Sequence, residues 1–328
     1  GYATSPVGTG AYELVEWTPN QRTVLRRFEQ FWGEAPEWDE VVFVPITEDS
    51  AAEIALETGE LDFGFIAESA VERFEANPDF EVYEVVTMNY AGILMNAQHP
   101  NLQDINVRQA IRYGIDVPAI IEAVYDGKAE RACALLAPGM NGYWADAPCY
   151  ERDVELAKSY LEAAGLDSLD INIAVTNSEK DRALAEIVQA NLAEVGINVE
   201  IDALEDATYW DGGFGEEGLQ NRQLTAISWS TNNPDPSWVT MWFVCDQVLQ
   251  WNWTFTCMED YDEFHYAAIK ELDPDARAEM YVNLQKAWDE YANVVWTVHP
   301  KLYFAGRSGL EPGLNPLGIL IPRAFHSQ

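Results

Sequence analysis

Positive charge is scarce in this chain. Lysine and arginine together number 19 against 55 aspartates and glutamates, giving a formal net charge of −36 over 328 residues. Such a surface repels phosphate backbones and anionic headgroups, which excludes nucleic acid and anionic membrane as partners. Among the bases arginine outnumbers lysine by 13 to 6, and the acids are spread along the chain rather than gathered in a tail. That pattern suits salty surroundings, where screening over roughly 8 Å or less softens self-repulsion; it is equally the pattern of an ordinary acidic exported protein. Long apolar runs are also lacking, with no stretch of the roughly 18 residues that a membrane-spanning helix needs. There is no initiator methionine and no signal peptide, and the opening Gly1-Tyr2 followed by PVGTGAY reads as the internal start of a processed or truncated chain.

Catalytic motifs are missing too. GxSxG, HExxH, a P-loop and a GxGxxG that opens a helix after a strand are all absent. Gly212, Gly213 and Gly215 sit among acids that repel phosphate, so no cofactor is expected. The four histidines, His99, His265, His299 and His326, are far apart and without metal-ligand spacing, so no metal is expected either. Carboxylates are too numerous to single out a pair. The strongest enzymatic alternative is therefore generic: a secreted glycoside hydrolase with paired carboxylates in a Trp-rich cleft.

Cysteines number four, and three pairings are open to them. The spacings Cys133 to Cys149 and Cys245 to Cys257 are short, each flanks an irregular Pro- or Trp-rich segment, and neither is a CxxC metal or redox spacing. Two local disulfides are the economical reading, each removing on the order of 3 kcal/mol of loop entropy from the unfolded state, and they imply an oxidising compartment. The competing reading is four buried thiols in a cytosolic protein.

What is present is enough to fold. Hydrophobic residues make up 48% and aromatics 12%, and the length allows about two domains. Periodicity predicts strands at Tyr12 to Trp17, Val41 to Ile46, Leu61 to Ile66, Val82 to Val86 and Gly92 to Asn96, with helices at Ser50 to Thr58 and Glu68 to Ala76 between them. Helices follow at Asn106 to Tyr113 and from Asp116-Val117-Pro118 to Tyr125, and Gly127 to Tyr150 is irregular. Helix, strand, helix and strand at Asp153–Ala164, Leu169–Val175, Asp181–Val195 and Ile197–Ala203 predict a crossover onto a second parallel sheet. Leu224 to Trp229 is a further strand. Helices at Asp260–Leu272 and Ala276–Asn293, an interrupted strand at Val294–Phe304 and an extended tail complete an α/β chain without linker or repeat.

Ser228 to Cys257 stands apart. It holds five of the twelve tryptophans, Trp229, Trp238, Trp242, Trp251 and Trp253, with two of the cysteines. A surface loop has no need of so many rings unless they pack inward or stack on a ligand. Trp242, Trp251 and Trp253 are expected to form a small core beneath the cysteine loop. Trp229 ends a strand just before a loop, a position from which α/β folds present ligand contacts.

Several stretches, in order, then resemble one family. PVGTGAYELVEW, FWGEAPEWDEVVF, the Gly-Glu-Leu-Asp within Glu57 to Asp62, LMNAQHPNLQDINVRQAIRYGID, LAKSYLEAAG, VQANLAEVGINVEI and WSTNNPDPSW cover nearly the whole chain. Together they are similar to the extracytoplasmic solute-binding proteins of ABC importers, in the dipeptide, oligopeptide and nickel-binding class. The resemblance implies a two-lobe, type II periplasmic-binding-protein-like α/β architecture with lobe I incomplete: residues 1–95 with 305–328 in lobe I and 96–304 in lobe II. It implies no catalysis, and capture of a peptide-like or oligosaccharide-like solute between the lobes by a monomer that delivers it to a cognate membrane permease. The location is periplasmic or extracellular, with any membrane anchor in the N-terminal third that the chain lacks.

The resemblance also implies a ligand rim of Tyr90, Trp229, Ser230, Thr231 and Asn232, with Asn89 and Trp238 as weaker members. In peptide-binding relatives the strand ends in Trp and, three residues on, an Asp accepts the ligand's ammonium group. Here those positions are Trp229 and Asn232. A neutral amide loses the charge-assisted part of that bond, which favours an uncharged polar ligand or a peptide held in another register. The arginine that meets a dipeptide's carboxylate has no counterpart in AVTNSEKDRAL. Cys245 and Cys257 match a disulfide that some relatives carry.

Overall fold

A computed structural model describes residues 6–231, 233–315 and 317–327. The chain divides into two compact units, one running from Val86 to Pro300 and the other made of the chain up to Val85 together with Lys301 onward.

The Val86–Pro300 unit is built on a five-stranded sheet in the order Val294–Trp296, Tyr90–Met95, Leu224–Trp229, Leu169–Thr176, Ile197–Leu204. Leu169–Thr176 and Ile197–Leu204 run parallel in unbroken register from Leu169↔Ile197 to Thr176↔Leu204, joined by the helix Glu179–Ala193. The expected parallel crossover is present, but among the described residues the sheet it joins is mixed rather than wholly parallel. Leu224–Trp229 pairs parallel with Leu169–Thr176 on one side and antiparallel with Tyr90–Met95 on the other, so both pairings share one mixed sheet. Tyr90–Met95 is buried at every position, as befits a strand covered on both faces.

Local chemistry sets the helix starts in this unit. Asp104 accepts from the Asn106 N–H at 2.8 Å, Asp116 from Ala119 at 2.9 Å, Asp153 from Leu156 at 3.0 Å and Ser178 from Asp181 at 3.1 Å. Each occupies an amide that the first turn leaves without an internal partner. Pro118 and Pro274 sit in first turns, where the missing N–H costs nothing. The apolar stripes of Ile105–Gly114 and Glu179–Ala193 close over the sheet. Ile111, Ile120, Val188, Leu192, Ile173 and Leu224 lie in one buried core, each such side chain contributing about 1.5–3 kcal/mol.

The other unit carries a three-stranded antiparallel sheet, Tyr12–Thr18, Arg22–Arg27 and Glu40–Phe43, and a second three-stranded sheet with Lys301–Arg307 between Phe63–Ile66 and Phe80–Val86. Its core is Leu56, Ile66, Val71, Phe74, Phe80, Tyr303 and Ala305. The predicted strand Val294–Phe304 is in fact three strands in three sheets: Val294–Trp296, Val298–His299 and Lys301–Arg307. One break falls at Thr297 and the other, the interruption expected from the sequence, at Pro300, which has no N–H to give to a ladder and whose carbonyl accepts from the Thr87 hydroxyl at 2.6 Å.

Both cysteine pairs are disulfides, Cys133–Cys149 and Cys245–Cys257, with Cα separations of 4.8 and 4.4 Å. The four-thiol reading is thereby set aside.

Candidate functional site

The strand Leu224–Trp229 lies at the centre of the sheet and ends with Trp229 opposite Tyr90. The two rings are placed very differently. Tyr90 is 1% exposed, its ring against Trp296 and Phe243 at centroid distances of 5.9 and 6.3 Å. Its hydroxyl is buried without a hydrogen-bond partner among the described residues, and burial pushes the phenol pKa far up. Trp229 is half-buried and Ser230 exposed.

Past the strand, hydrogen bonds to side chains fix the chain. The Thr231 N–H donates to Asn89 Oδ1 at 2.9 Å, and the Thr231 hydroxyl donates to the Asn233 carbonyl at 2.8 Å. Asn89 is itself held, since its carbonyl lies 3.0 Å from Nδ1 of the buried His299. Burial drives the His299 pKa down to about 4, against a smaller upward pull from that hydrogen bond, so the ring is neutral and donates from Nδ1 at neutral pH. Asn89 therefore spends its side-chain oxygen on placing Thr231. Asn232 lies outside the described residues.

Asp235 then caps the short helix Pro236–Thr240 by accepting from the Ser237 N–H at 2.9 Å, and Arg277 grips its two oxygens at 2.8 and 2.9 Å. That guanidinium, helped by Ser237, holds the carboxyl at about 2. The helix presents Trp238, half-buried against Trp242 at 5.7 Å.

Around Trp229 the rings form a continuous cluster. Trp210, Trp242 and Trp251 lie 5.7, 5.7 and 5.4 Å from it, and Phe214 meets Trp251 edge-on at 4.8 Å. All five keep part of their surface open. Beneath them Trp253 is 1% exposed, packed on Tyr209, Trp210 and Phe214 at 5.7, 5.5 and 5.8 Å. Of the three tryptophans expected as a core under the cysteine loop, Trp253 is that core, whereas Trp242 and Trp251 stand half-open beside Trp229.

The loop is shaped by the buried Asn252. Its amide nitrogen donates to the carbonyls of Phe243 and Thr256 at 2.9 and 3.0 Å, and its oxygen accepts from the Thr254 hydroxyl at 2.7 Å. Leu249 and Phe255 take left-handed backbone angles, φ 65° and 52°, a cost of order 1–3 kcal/mol each that the disulfide and Asn252 together offset.

Trp210 and Phe214 were not anticipated. They stand on and after the helix Asp206–Asp211, in a stretch whose acids and glycines make a poor phosphate cradle. Gly213 has another reason to be glycine: a Cβ there would run into the Trp253 ring. The usable signal was Tyr209-Trp210 with Phe214, three rings in six residues. A groove of about 690 Å³ in the other unit, lined by Trp38, Phe43, Phe63, Arg307 and Phe325, contains none of the predicted residues. Among the described residues no cluster of metal-ligating side chains occurs.

A family model for bacterial extracellular solute-binding proteins, family 5 (middle region), matches residues 1–249. The dipeptide-binding protein of Escherichia coli is 28% identical over 325 residues, 96% of this chain and 60% of its own. The peptide transport periplasmic protein SapA of Salmonella typhimurium is 28% identical over 291 residues, 85% and 52% of the two chains. Among solved structures, the DppA protein of Helicobacter pylori in complex with the peptide STSA gives a TM-score of 0.81 at 25% identity, covering 98% of this chain and 64% of that one. The AppA protein of Clostridium difficile gives 0.88 at 20% identity, a likeness of fold. The chain thus spans about 60% of the length of the first-named relative. With the family model matching three quarters of its residues, the chain belongs to the bacterial extracellular solute-binding proteins of family 5.

Proposed function

We propose that this chain carries solute-capturing machinery of an extracytoplasmic binding protein, one that takes up a peptide-like ligand and presents it to the membrane permease of an ABC importer without chemical conversion. Family membership supports this, and so do the peptide-binding descriptions of the Escherichia coli and Salmonella relatives. Those relatives bind and transport, so the glycoside-hydrolase alternative finds no support in them. The oligosaccharide reading rests only on the amide of Asn232. The Val86–Pro300 unit is assigned to one lobe and the other unit to the second, in place of divisions after residues 95 and 304, and the whole protein is periplasmic or extracellular. No helix among the described residues is long and apolar enough to cross a membrane.

The observation that carries the proposal is the half-open ring cluster at the end of Leu224–Trp229, with its rim fixed by Asn89 and Thr231. Trp229, Ser230 and Trp238 are assigned to ligand contact, Asn89 and the buried Thr231 to holding the rim, and Tyr90 to supporting it from below. Calorimetric titration with di- to tetrapeptides and with oligosaccharides tests the reading. Peptide binding is expected, and Trp229→Ala should weaken it at least tenfold, about the 1–2 kcal/mol that a buried anchor ring supplies. Failure of every peptide, or saccharide binding in their place, overturns it. Asn232→Asp should strengthen binding of peptides with a free α-amino group if that position meets the ammonium.

A further inference from the structure

The ring cluster lies in a strongly acidic part of the sequence. Residues 183–269 hold fifteen acids and a single base, Arg222. That base is 4% exposed, with its guanidinium 4.9 Å from the Tyr209 ring and 5.2 Å from the Trp253 ring, and it donates to the Tyr209 carbonyl. The acids on the elements that carry the open rings are exposed. Asp206 and Asp211 flank Trp210, Glu216 and Glu217 follow Phe214, and Asp246 lies between Trp242 and Trp251 in the chain. Asp235 is the exception, neutralised by Arg277.

Two independent features therefore favour the same ligand charge. Indole faces attract cations through their quadrupole, Trp most strongly. The surrounding carboxylates add a long-range negative field that draws cations in and repels carboxylates. No exposed base in this stretch is available to pair with an anionic side chain. A planar guanidinium suits the cluster better than an ammonium because it stacks on rings and is less strongly hydrated. The buried side of the cluster already accommodates one, in Arg222.

Building on the proposed peptide-binding role, we infer that the preferred ligands are short basic peptides whose arginine side chain rests on the half-open face formed by Trp210, Trp229, Trp242 and Trp251. Neutral and acidic peptides are discriminated against by the same field.

The test is titration calorimetry of the 328-residue chain with four tripeptides, Ala-Xaa-Ala, in which Xaa is Arg, Lys, Gln or Glu. In 20 mM salt the order of affinity should be Arg, Lys, Gln, Glu, with at least tenfold between Arg and Glu, and the spread should narrow in 0.5 M NaCl. Trp242→Leu should cost the Arg peptide more than the Gln peptide. Asp211→Asn with Glu216→Gln, two exposed changes that leave the rings in place, should shrink the Arg-to-Gln gap even if the Trp variant fails to fold. Equal binding of all four peptides, or a preference for Gln or Glu, overturns the inference and leaves the peptide-binding role standing. Binding of none of them overturns both.

Discussion

At the scale of single residues, the rim depends on a neutral histidine. His299 is 1% exposed and gives its Nδ1 proton to the Asn89 carbonyl, while Asn89 positions Thr231. Its folded pKa of about 4 lies below the ordinary 6.5. The unfolded chain therefore binds more protons between those values, and stability falls as pH drops through that window. The slope from this group reaches up to about 1.4 kcal/mol per pH unit. Burial lowers the pKa of His265 as well, so it acts in the same direction. Chemical denaturation at pH 7, 6, 5 and 4 should show the decline, and His299→Gln should flatten it while lowering stability at pH 7. An unchanged slope in the variant would show that His299 does not carry the decline.

At the scale of elements, the segment that closes the ring cluster is a short chain forced into an irregular path. Between Cys245 and Cys257 it makes one 3₁₀ turn, Cys245–Gln247, and places two non-glycine residues in left-handed conformation. Few backbone bonds bind it to a sheet, so the disulfide carries much of its order. Replacing both cysteines, Cys245→Ser with Cys257→Ser, should cost about 3 kcal/mol by loop entropy. It should also raise the exposure of Trp251 and Trp253 to acrylamide quenching at temperatures below global unfolding. A double variant with unaltered melting and quenching would mean that Asn252 alone suffices to hold the loop.

At the scale of the whole molecule, charge dominates. A net charge of −36 concentrated in a folded volume repels itself more than in the expanded chain, and salt relieves the difference. Raising NaCl from 0.05 to 1 M shortens the screening length from about 14 to about 3 Å and should raise the melting temperature by about 5 °C, roughly 1–2 kcal/mol for a chain of this size. A flat or falling melting temperature would show that the ion pairs, such as Arg277–Asp235 and Arg112–Asp289, lose as much to screening as the surface gains.

The sequence by itself determined what local physics governs. Helix starts were legible because Asp104, Asp116, Asp153 and Ser178 cap their own first turns two or three residues on. The cysteine pairs were legible because short loops close cheaply, and the Trp229 strand end because a run of apolar residues stops at Ser-Thr-Asn. Contacts between distant residues were not legible. Nothing near Trp229 announces that Trp210 will stand beside it or that Phe214 will join the cluster through Trp251, since the intervening chain passes through another helix and the strand itself. Nor does Gln-Trp-Asn-Trp reveal that Trp253 is sealed while Trp251 stays half-open. That outcome belongs to Gly213, whose missing side chain admits one ring, and to Asn252, whose four side-chain hydrogen bonds to Phe243, Thr254 and Thr256 turn the backbone between them. Tertiary structure decided which rings became core and which became surface, because burial is a property of the neighbours a side chain meets and not of its own identity.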